Sequence, residues 1–315
     1  MYLSLLLFGL GLLGLWFGSD IVVSAARKFA KALNISELVI GLTVVSVGTT
    51  LPEIATTMAA GVSGRMGIDA SGIAIGDIIG SNMANITFIL GICGLFVTFA
   101  ITKKALARDG IVMLAAILAM FLAFMDLKIT KQEGVALIFL YMLYFFYLGK
   151  QEGVFLKFAR KENKLPILGN VLLIMTGVAV LVFSSGLVVK NGVALSGVFG
   201  VNEFIVGLFV GLGTSLPELT VSLAAVLRGA GSLSLGNLIG SSIINPTLAL
   251  GSGAVISGFI LAKHTLFFDF PFLFISTLLV LALLNRNLNL GKSESVLIIG
   301  VYLLYMASRI LFFGV

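Results

Sequence analysis

The sequence predicts an all-α membrane protein of ten transmembrane helices, arranged as two inverted five-helix repeats like those of secondary transporters. Three observations carry this expectation. The 315-residue chain is 59% hydrophobic and only 11% charged, against about 25% charged residues in ordinary soluble domains, and its mean hydropathy is +1.16. Apolar stretches near 20 residues, each enough to cross ~30 Å of hydrocarbon, recur along its length. Two separated segments of the first half also return in the second.

Hydropathy, broken at charged clusters, places the first five spans at 3–24, 36–63, 71–100, 109–126 and 132–149. The second five fall at 168–189, 202–227, 232–262, 266–285 and 293–313. The N-terminus is apolar from Met1 and lacks a basic leader region and a small-residue cleavage site, so it reads as the first span rather than a signal peptide. The third and eighth stretches are long for one crossing, and tilt or a break is expected in each. A short linker, 151–166, joins a first repeat at 1–150 to a second at 167–315. With these spans, 14 of the 20 Lys and Arg residues fall on one side and 6 on the other. The positive-inside rule makes the richer side cytoplasmic, which places both termini outside the cell and the protein in the plasma membrane. Tyr141, Tyr144 and Tyr147, near the cytoplasmic end of the fifth span, read as membrane-interface aromatics.

The repetition is specific. Residues 35–64 read ISELVIGLTVVSVGTTLPEIATTMAAGVSG, and 201–229 read VNEFIVGLFVGLGTSLPELTVSLAAVLRG. A second block pairs GDIIGSNMAN (76–85) with GNLIGSSIIN (236–245), so the repeated regions extend over 41–91 and 207–251. Five spans per half is an odd number. The second copy therefore enters from the opposite face, and the repeats are inverted.

Composition also excludes much. The single cysteine, Cys93, cannot form an intrachain disulfide, and the single histidine, His264, rules out a multi-histidine metal centre. No glycine-rich phosphate loop and no nucleophile–base pair can be assembled, so neither an enzyme nor a bound cofactor is expected. The net charge of +6 comes without a dense basic run, which argues against nucleic acid as a partner.

The chemistry sits in Gly48-Thr49-Thr50-Leu51-Pro52-Glu53 and its copy Gly213-Thr214-Ser215-Leu216-Pro217-Glu218. Each glutamate falls near mid-span, where an ionised carboxylate costs roughly 2.5–3.5 kcal/mol on insertion scales. Proline in a helix removes one backbone hydrogen bond and blocks the carbonyl four residues back, here Gly48 and Gly213. Carbonyls freed at membrane depth are tolerated where they are buried or line a cavity. The result is a set of carboxylate, hydroxyl and carbonyl oxygens, the donor set hard cations prefer. In the second block, Ser81 and Asn85, and again Ser241 and Asn245, are spaced i,i+4 and share a helix face. Asp77 lies one turn before Ser81, whereas its repeat partner is the uncharged Asn237. Gly76, Gly80, Gly236 and Gly240 are read as small residues for close helix packing. Asp20 and Asp269 are placed near the interfaces and outside the ion site.

At these residues the chain resembles the cation/Ca²⁺ exchanger superfamily, and within it the sodium/calcium exchanger family of the short prokaryotic type. The paired Gly-Thr-(Thr/Ser)-Leu-Pro-Glu segments carry the resemblance, which extends over the whole chain. It implies a Na⁺/Ca²⁺ antiporter in which Glu53 and Glu218 are central carboxylates shared by both ions. Thr49 and Thr214 would offer carbonyls, and Thr50 and Ser215 hydroxyls, to Na⁺. Ser81 and Ser241 would complete flanking Na⁺ sites, with Asn85 and Asn245 beside the glutamates. Ser46 and Gly211 would contribute carbonyls. Asp77 is a further candidate metal ligand. The first and sixth spans would slide over the other eight. Two departures stand out: Thr50 replaces a serine, and Asn245 stands where some relatives carry aspartate. The linker has no room for a large Ca²⁺-sensing insert.

Proton-coupled Ca²⁺ exchange is the nearest alternative, but those relatives place Gly-Asn-x-x-Glu where this chain has its two Thr-containing segments. A cation channel is the alternative of another class, disfavoured by an inverted repeat with interrupted helices. Since one chain holds both halves of the site, no obligatory protein partner is expected beyond the bilayer and the transported ions.

Overall fold

The computed structural model describes residues 2–67, 69–159, 165–198 and 213–313. It is helical almost throughout. Helix α1 is Tyr2–Leu33, α2 Glu37–Thr49, α3 Leu51–Arg65, α4 Ser71–Phe96, α5 Lys103–Ala123 and α6 Lys131–Gln151. A short α7, Val154–Ala159, leads to α8, Leu165–Val198. Then follow α9 (Leu216–Leu227), α10 (Gly231–Ser257), α11 (Thr265–Asn287) and α12 (Lys292–Phe313). Among the described residues, eight helices are long and apolar enough to cross a membrane, or nine if the bent pair α2–α3 counts as one span. The chain is a multi-pass membrane protein, and large apolar side chains such as Leu3, Trp16, Phe139 and Leu303 cover its outer surface.

The sequence-derived spans meet these helices with differences at several ends, the helices of the first and sixth spans running nine residues past their expected ends to Leu33 and Val198. The fourth begins at Lys103 rather than 109, because the Thr102 side chain accepts from Ala105 N–H and caps the helix there. The long third and eighth spans each remain one helix, carrying wide π-type turns at Ala84–Ile89 and Asn245–Ala249. The start of the seventh, 202–212, lies outside the described residues; its remainder contains α9. Four two-residue strands also appear: β1 (Phe99–Ala100), β2 (Lys128–Ile129), β3 (Phe259–Ile260) and β4 (Asn289–Leu290). β1 pairs antiparallel with β4, and β2 with β3, tying connections of the first half to those of the second.

Two apolar clusters divide the molecule. The larger is built from α4, α5, α6, α10, α11 and α12, with Ile78, Met83, Met113, Met120, Phe270 and Leu273 nearly or fully buried. The smaller lies where α1 and α8 pack together, as Val22, Val23, Ala26, Ile174, Val178 and Leu181 meet Ile40, Val45, Val221 and Ala225. The pair α1–α8 thus forms a layer on the face of α2 and α9. Its polar ties sit at one end: Arg228 pairs with Asp20 and donates to Ser24 Oγ at 2.6 Å, while Arg27 pairs with Glu37 at 2.8 Å. Asp20 is therefore half of an ion pair, away from the repeat glutamates.

Close helix crossings place the site. A Cβ on Gly41 would lie 2.5 Å from the Leu233 carbonyl oxygen and 2.8 Å from Asn237 N, so α2 and α10 touch backbone to backbone there. A Cβ on Gly61 would likewise meet the Gly253 carbonyl at 2.5 Å, where α3 crosses α10. In the loop before α4, Asp69 accepts from Ser71 N–H at 2.9 Å, and its hydrogen bonds to Ser71 hold that carboxyl below its ordinary range.

The interface reading of Tyr141 and Tyr144 is corrected. Both are buried, and Tyr144 Oη donates to Asp109 Oδ1 at 3.0 Å. Asp109 also pairs with Arg108 at 2.6 Å, and Arg108 reaches Glu152 at 2.5 Å. Tyr147 stays exposed. Asp269, expected near an interface, is buried among protein partners, accepting from Tyr305 Oη at 2.8 Å and pairing with Arg309 at 3.3 Å. A carboxylate at that depth requires such partners.

Candidate ion-binding site

The two proline segments fold alike. At the first, the helix breaks at Thr50 (φ −81°, ψ 3°) and α3 leaves at 43° to α2. At the second, Ser215 (φ −84°, ψ 6°) precedes α9 in the same conformation. In both, proline stands in the first turn of the new helix, where its missing N–H leaves no defect. The glutamate follows at once, so each carboxylate projects from a helix N-terminal turn, where backbone dipoles favour negative charge.

Glu53 and Glu218 are both fully buried. Glu53 Oε1 accepts from Ser81 Oγ at 3.3 Å. Glu218 Oε1 accepts from Thr50 Oγ1 at 3.2 Å and from Ser241 Oγ at 3.4 Å, and Thr50 and Ser241 are themselves 3.0 Å apart. Thr49 Oγ1 donates to Asn237 Oδ1 at 3.1 Å, and Thr214 Oγ1 to Asp77 Oδ1 at 2.8 Å. Asn245 Nδ2 donates to Asn82 Oδ1 at 3.2 Å. The segments predicted from the two halves therefore meet in one buried polar cluster.

Ser46 is buried nearby, but its carbonyl accepts from Thr50 N–H at 3.0 Å and Thr49 Oγ1 at 3.3 Å. Gly211 lies outside the described residues. Asn82 is a member of the cluster that sequence reasoning did not single out, and Asn237 was noted only as the uncharged partner of Asp77. Asn82 stands inside the quoted 76–85 block, one residue past Ser81, but its repeat counterpart is Ser242, a different polar side chain, so the position lacks the identity that marks Ser81/Ser241 and Asn85/Asn245.

Several buried oxygens of the cluster have no hydrogen-bond partner among the described residues: Glu53 Oε2, Glu218 Oε2, Asp77 Oδ2, Ser215 Oγ, Asn85 Oδ1 and Asn245 Oδ1. Buried polar groups are normally paired, and each left unpaired costs about 1–3 kcal/mol. A hard cation is the partner such a set fits, since Ca²⁺ takes six to eight oxygens from carboxylates, amides and carbonyls. Among the described residues no group of three or more His, Cys, Asp or Glu side chains clusters as a resident metal centre would. Three of the unpartnered oxygens are neutral, and three belong to the carboxylates of Glu53, Glu218 and Asp77.

The fold and this cluster define a multi-pass membrane protein with a buried, oxygen-rich polar centre where segments of its two halves meet. The sodium/calcium exchanger protein family matches residues 3–150 and 169–311, so the chain belongs to that family. The sodium/calcium exchanger MaX1 of Methanosarcina acetivorans is 30% identical over 339 aligned positions, covering 94% of this chain and 95% of that one. The inner membrane protein YrbG of Escherichia coli K12 is 29% identical over 98% of this chain and 97% of its own. Among solved structures, the sodium-calcium exchanger NCX_Mj soaked with 10 mM Na⁺ and 10 mM Sr²⁺ superposes with a TM-score of 0.85 at 29% identity, covering 98% of each chain.

Proposed function

We propose that this protein is a secondary-active antiporter exchanging Na⁺ for Ca²⁺ across the plasma membrane, with overlapping sites for the two ions at Glu53 and Glu218. The observation that carries the reading is the pair of fully buried glutamates, each with one unpartnered oxygen and each accepting from site hydroxyls, Glu53 from Ser81 and Glu218 from Ser241 and, across the two halves, Thr50. Membership of the sodium/calcium exchanger family supports it.

In this reading, two carboxylates balance one divalent ion, or meet several monovalent ions in turn. Ca²⁺ draws on both glutamates and on Asn85 and Asn245. Na⁺ ions use the glutamates with Thr50, Ser215, Ser81 and Ser241, together with the carbonyls of Ser46, Thr49, Gly211 and Thr214. Because the sites share oxygens, either load excludes the other, and that exclusion makes the process an exchange. Loading also neutralises the glutamates, which allows the α1–α8 layer to slide past the site and alternate its access. The topology that goes with this is ten spans in two inverted repeats, 1–150 and 167–315, with both termini outside. One chain completes the cycle with no bound cofactor and no protein partner, and it catalyses no covalent chemistry.

Proton coupling is the alternative. The hydroxyl-bearing Thr49-Thr50 and Thr214-Ser215 pairs favour Na⁺, which takes hydroxyl oxygens as ligands, whereas a proton needs only the carboxylates. Ca²⁺ uptake into liposomes driven by a Na⁺ gradient alone, at equal pH on both sides, supports Na⁺ coupling. Uptake that follows only an imposed pH gradient rejects it.

A further inference from the structure

Asn85 and Asn245 are repeat counterparts, yet they are held differently. Asn245, on α10, donates through Nδ2 to Asn82 Oδ1 on α4 at 3.2 Å. Its own Oδ1 is buried and accepts no hydrogen bond among the described residues. Asn85 has no hydrogen bond at either Oδ1 or Nδ2 among the described residues. The difference traces to one position. The counterpart of Asn82 is Ser242, whose Oγ donates to the Leu238 carbonyl at 2.8 Å, one turn back on its own helix, and spends its proton there.

Asn82 is not itself placed as a cation ligand. Its oxygen already accepts from Asn245, and what remains is Nδ2, a donor that has no acceptor among the described residues and cannot coordinate a cation. A buried donor left unpaired is costly, so a fully buried asparagine at this position needs a reason beyond filling space. Its partner supplies one. A side-chain amide carries an oxygen on one side of Cγ and an NH₂ on the other. Free to turn, it offers a cation the wrong end as readily as the right one. Anchored through its nitrogen, it keeps its oxygen directed away from the anchor.

We infer that Asn82 is a positioning residue for Ca²⁺: by holding the Asn245 amide nitrogen it fixes the Asn245 oxygen as a preset ligand of the shared centre, and so favours Ca²⁺ over Na⁺. The inference rests on the Na⁺/Ca²⁺ reading above and adds to it a residue, outside the ligand set, that tunes selectivity. In that reading Na⁺ uses the glutamates, hydroxyls and backbone carbonyls, whereas Ca²⁺ also draws on the two asparagine oxygens. Only Ca²⁺ therefore gains from the anchor. Asn85, which lacks one, is ordered by the ion as it arrives.

The test begins with Asn82→Ser, which copies the residue at the equivalent position of the other repeat and so suits a buried helix of this kind. Asn82→Ala, which also lacks the acceptor, is measured beside it, so that the result does not depend on one variant folding. Purified protein in liposomes gives half-saturating Ca²⁺, half-saturating Na⁺ and the maximal exchange rate per inserted protein. The expected result in both variants is half-saturating Ca²⁺ raised about tenfold, the scale for losing a group that orients a metal ligand. Half-saturating Na⁺ should change less than twofold. In Asn245→Ala protein there is no amide to hold, and adding Asn82→Ser should raise half-saturating Ca²⁺ less than twofold further. Unchanged Ca²⁺ half-saturation, an equal rise for both ions, or the full effect in the Asn245→Ala background would overturn the positioning role. Wild-type Ca²⁺ flux that ignores the Na⁺ gradient would instead overturn the antiport reading, so the two failures are distinguishable.

Discussion

Thr50 Oγ1 lies 3.2 Å from Glu218 Oε1, so a hydroxyl of the first repeat serves the carboxylate of the second. Ser241 reaches the same oxygen at 3.4 Å and Thr50 at 3.0 Å, which closes a triangle across the two halves. The second repeat does not build the surroundings of Glu218 alone.

Removing the Thr50 hydroxyl should therefore damage the site formed around Glu218. Thr50→Val keeps the shape but loses a hydrogen bond to a charged group, a loss of about 1.5–3 kcal/mol. Half-saturating Na⁺ in a flux assay should rise roughly tenfold or more, since 1.4 kcal/mol is a factor of ten. Thr50→Ser should stay near wild type. Combined with Ser241→Ala, the loss should fall short of the sum of the single changes, because both hydroxyls act on one oxygen. Strict additivity would mean that the triangle is not a functional unit.

The α2–α10 crossing should tolerate no side chain at Gly41. A Cβ there meets the Leu233 carbonyl at 2.5 Å, a backbone atom that cannot swing aside. Gly41→Ala is expected to lower the thermal unfolding temperature in detergent clearly. Gly300→Ala, where a Cβ meets nothing within 4 Å among the described residues, should leave it unchanged or raise it slightly. Equal stability of the two variants would contradict the crossing.

The Asp109 cluster gives a graded prediction. Arg108→Ala strands a fully buried carboxylate and should destabilise by about 3–5 kcal/mol, the scale for breaking a buried ion pair. Tyr144→Phe removes one hydrogen bond of the same carboxylate and should cost about 1.5–3 kcal/mol. Asp109→Asn in the Arg108→Ala background should recover part of the loss, because the uncompensated charge is gone. Denaturation in detergent measures all three, and an Arg108→Ala protein as stable as wild type would show that the pair contributes nothing.

These clusters also mark where sequence reading stops. The repeat glutamates and their prolines were legible because a carboxylate at mid-span is costly and appears twice at the same spacing. Pro52 pointed to a disturbance near Gly48, and the break falls two residues later, at Thr50, with Pro52 in the first turn of the next helix. The Asp109–Tyr144 contact was not legible. Tyr141, Tyr144 and Tyr147 lie three residues apart near the end of an apolar stretch, a pattern shared by membrane-interface aromatics, and only the packing of α5 on α6 turns two of them inward. The π-type turns at Ala84–Ile89 and Asn245–Ala249 leave the hydropathy of their helices unbroken, so composition gave no sign of them. The asymmetry of Asp77 was visible as a letter.

The account turns on Glu53 and Glu218 as shared ligands, and one measurement addresses that directly. Purified protein in liposomes loaded with Na⁺ is diluted into Ca²⁺ with an inert cation outside, and Ca²⁺ uptake is followed for wild type, Glu53→Gln and Glu218→Gln. The account predicts uptake that collapses when the Na⁺ gradient is removed and is absent in both variants, each inserted in amounts equal to wild type. Wild-type uptake in either variant would contradict it.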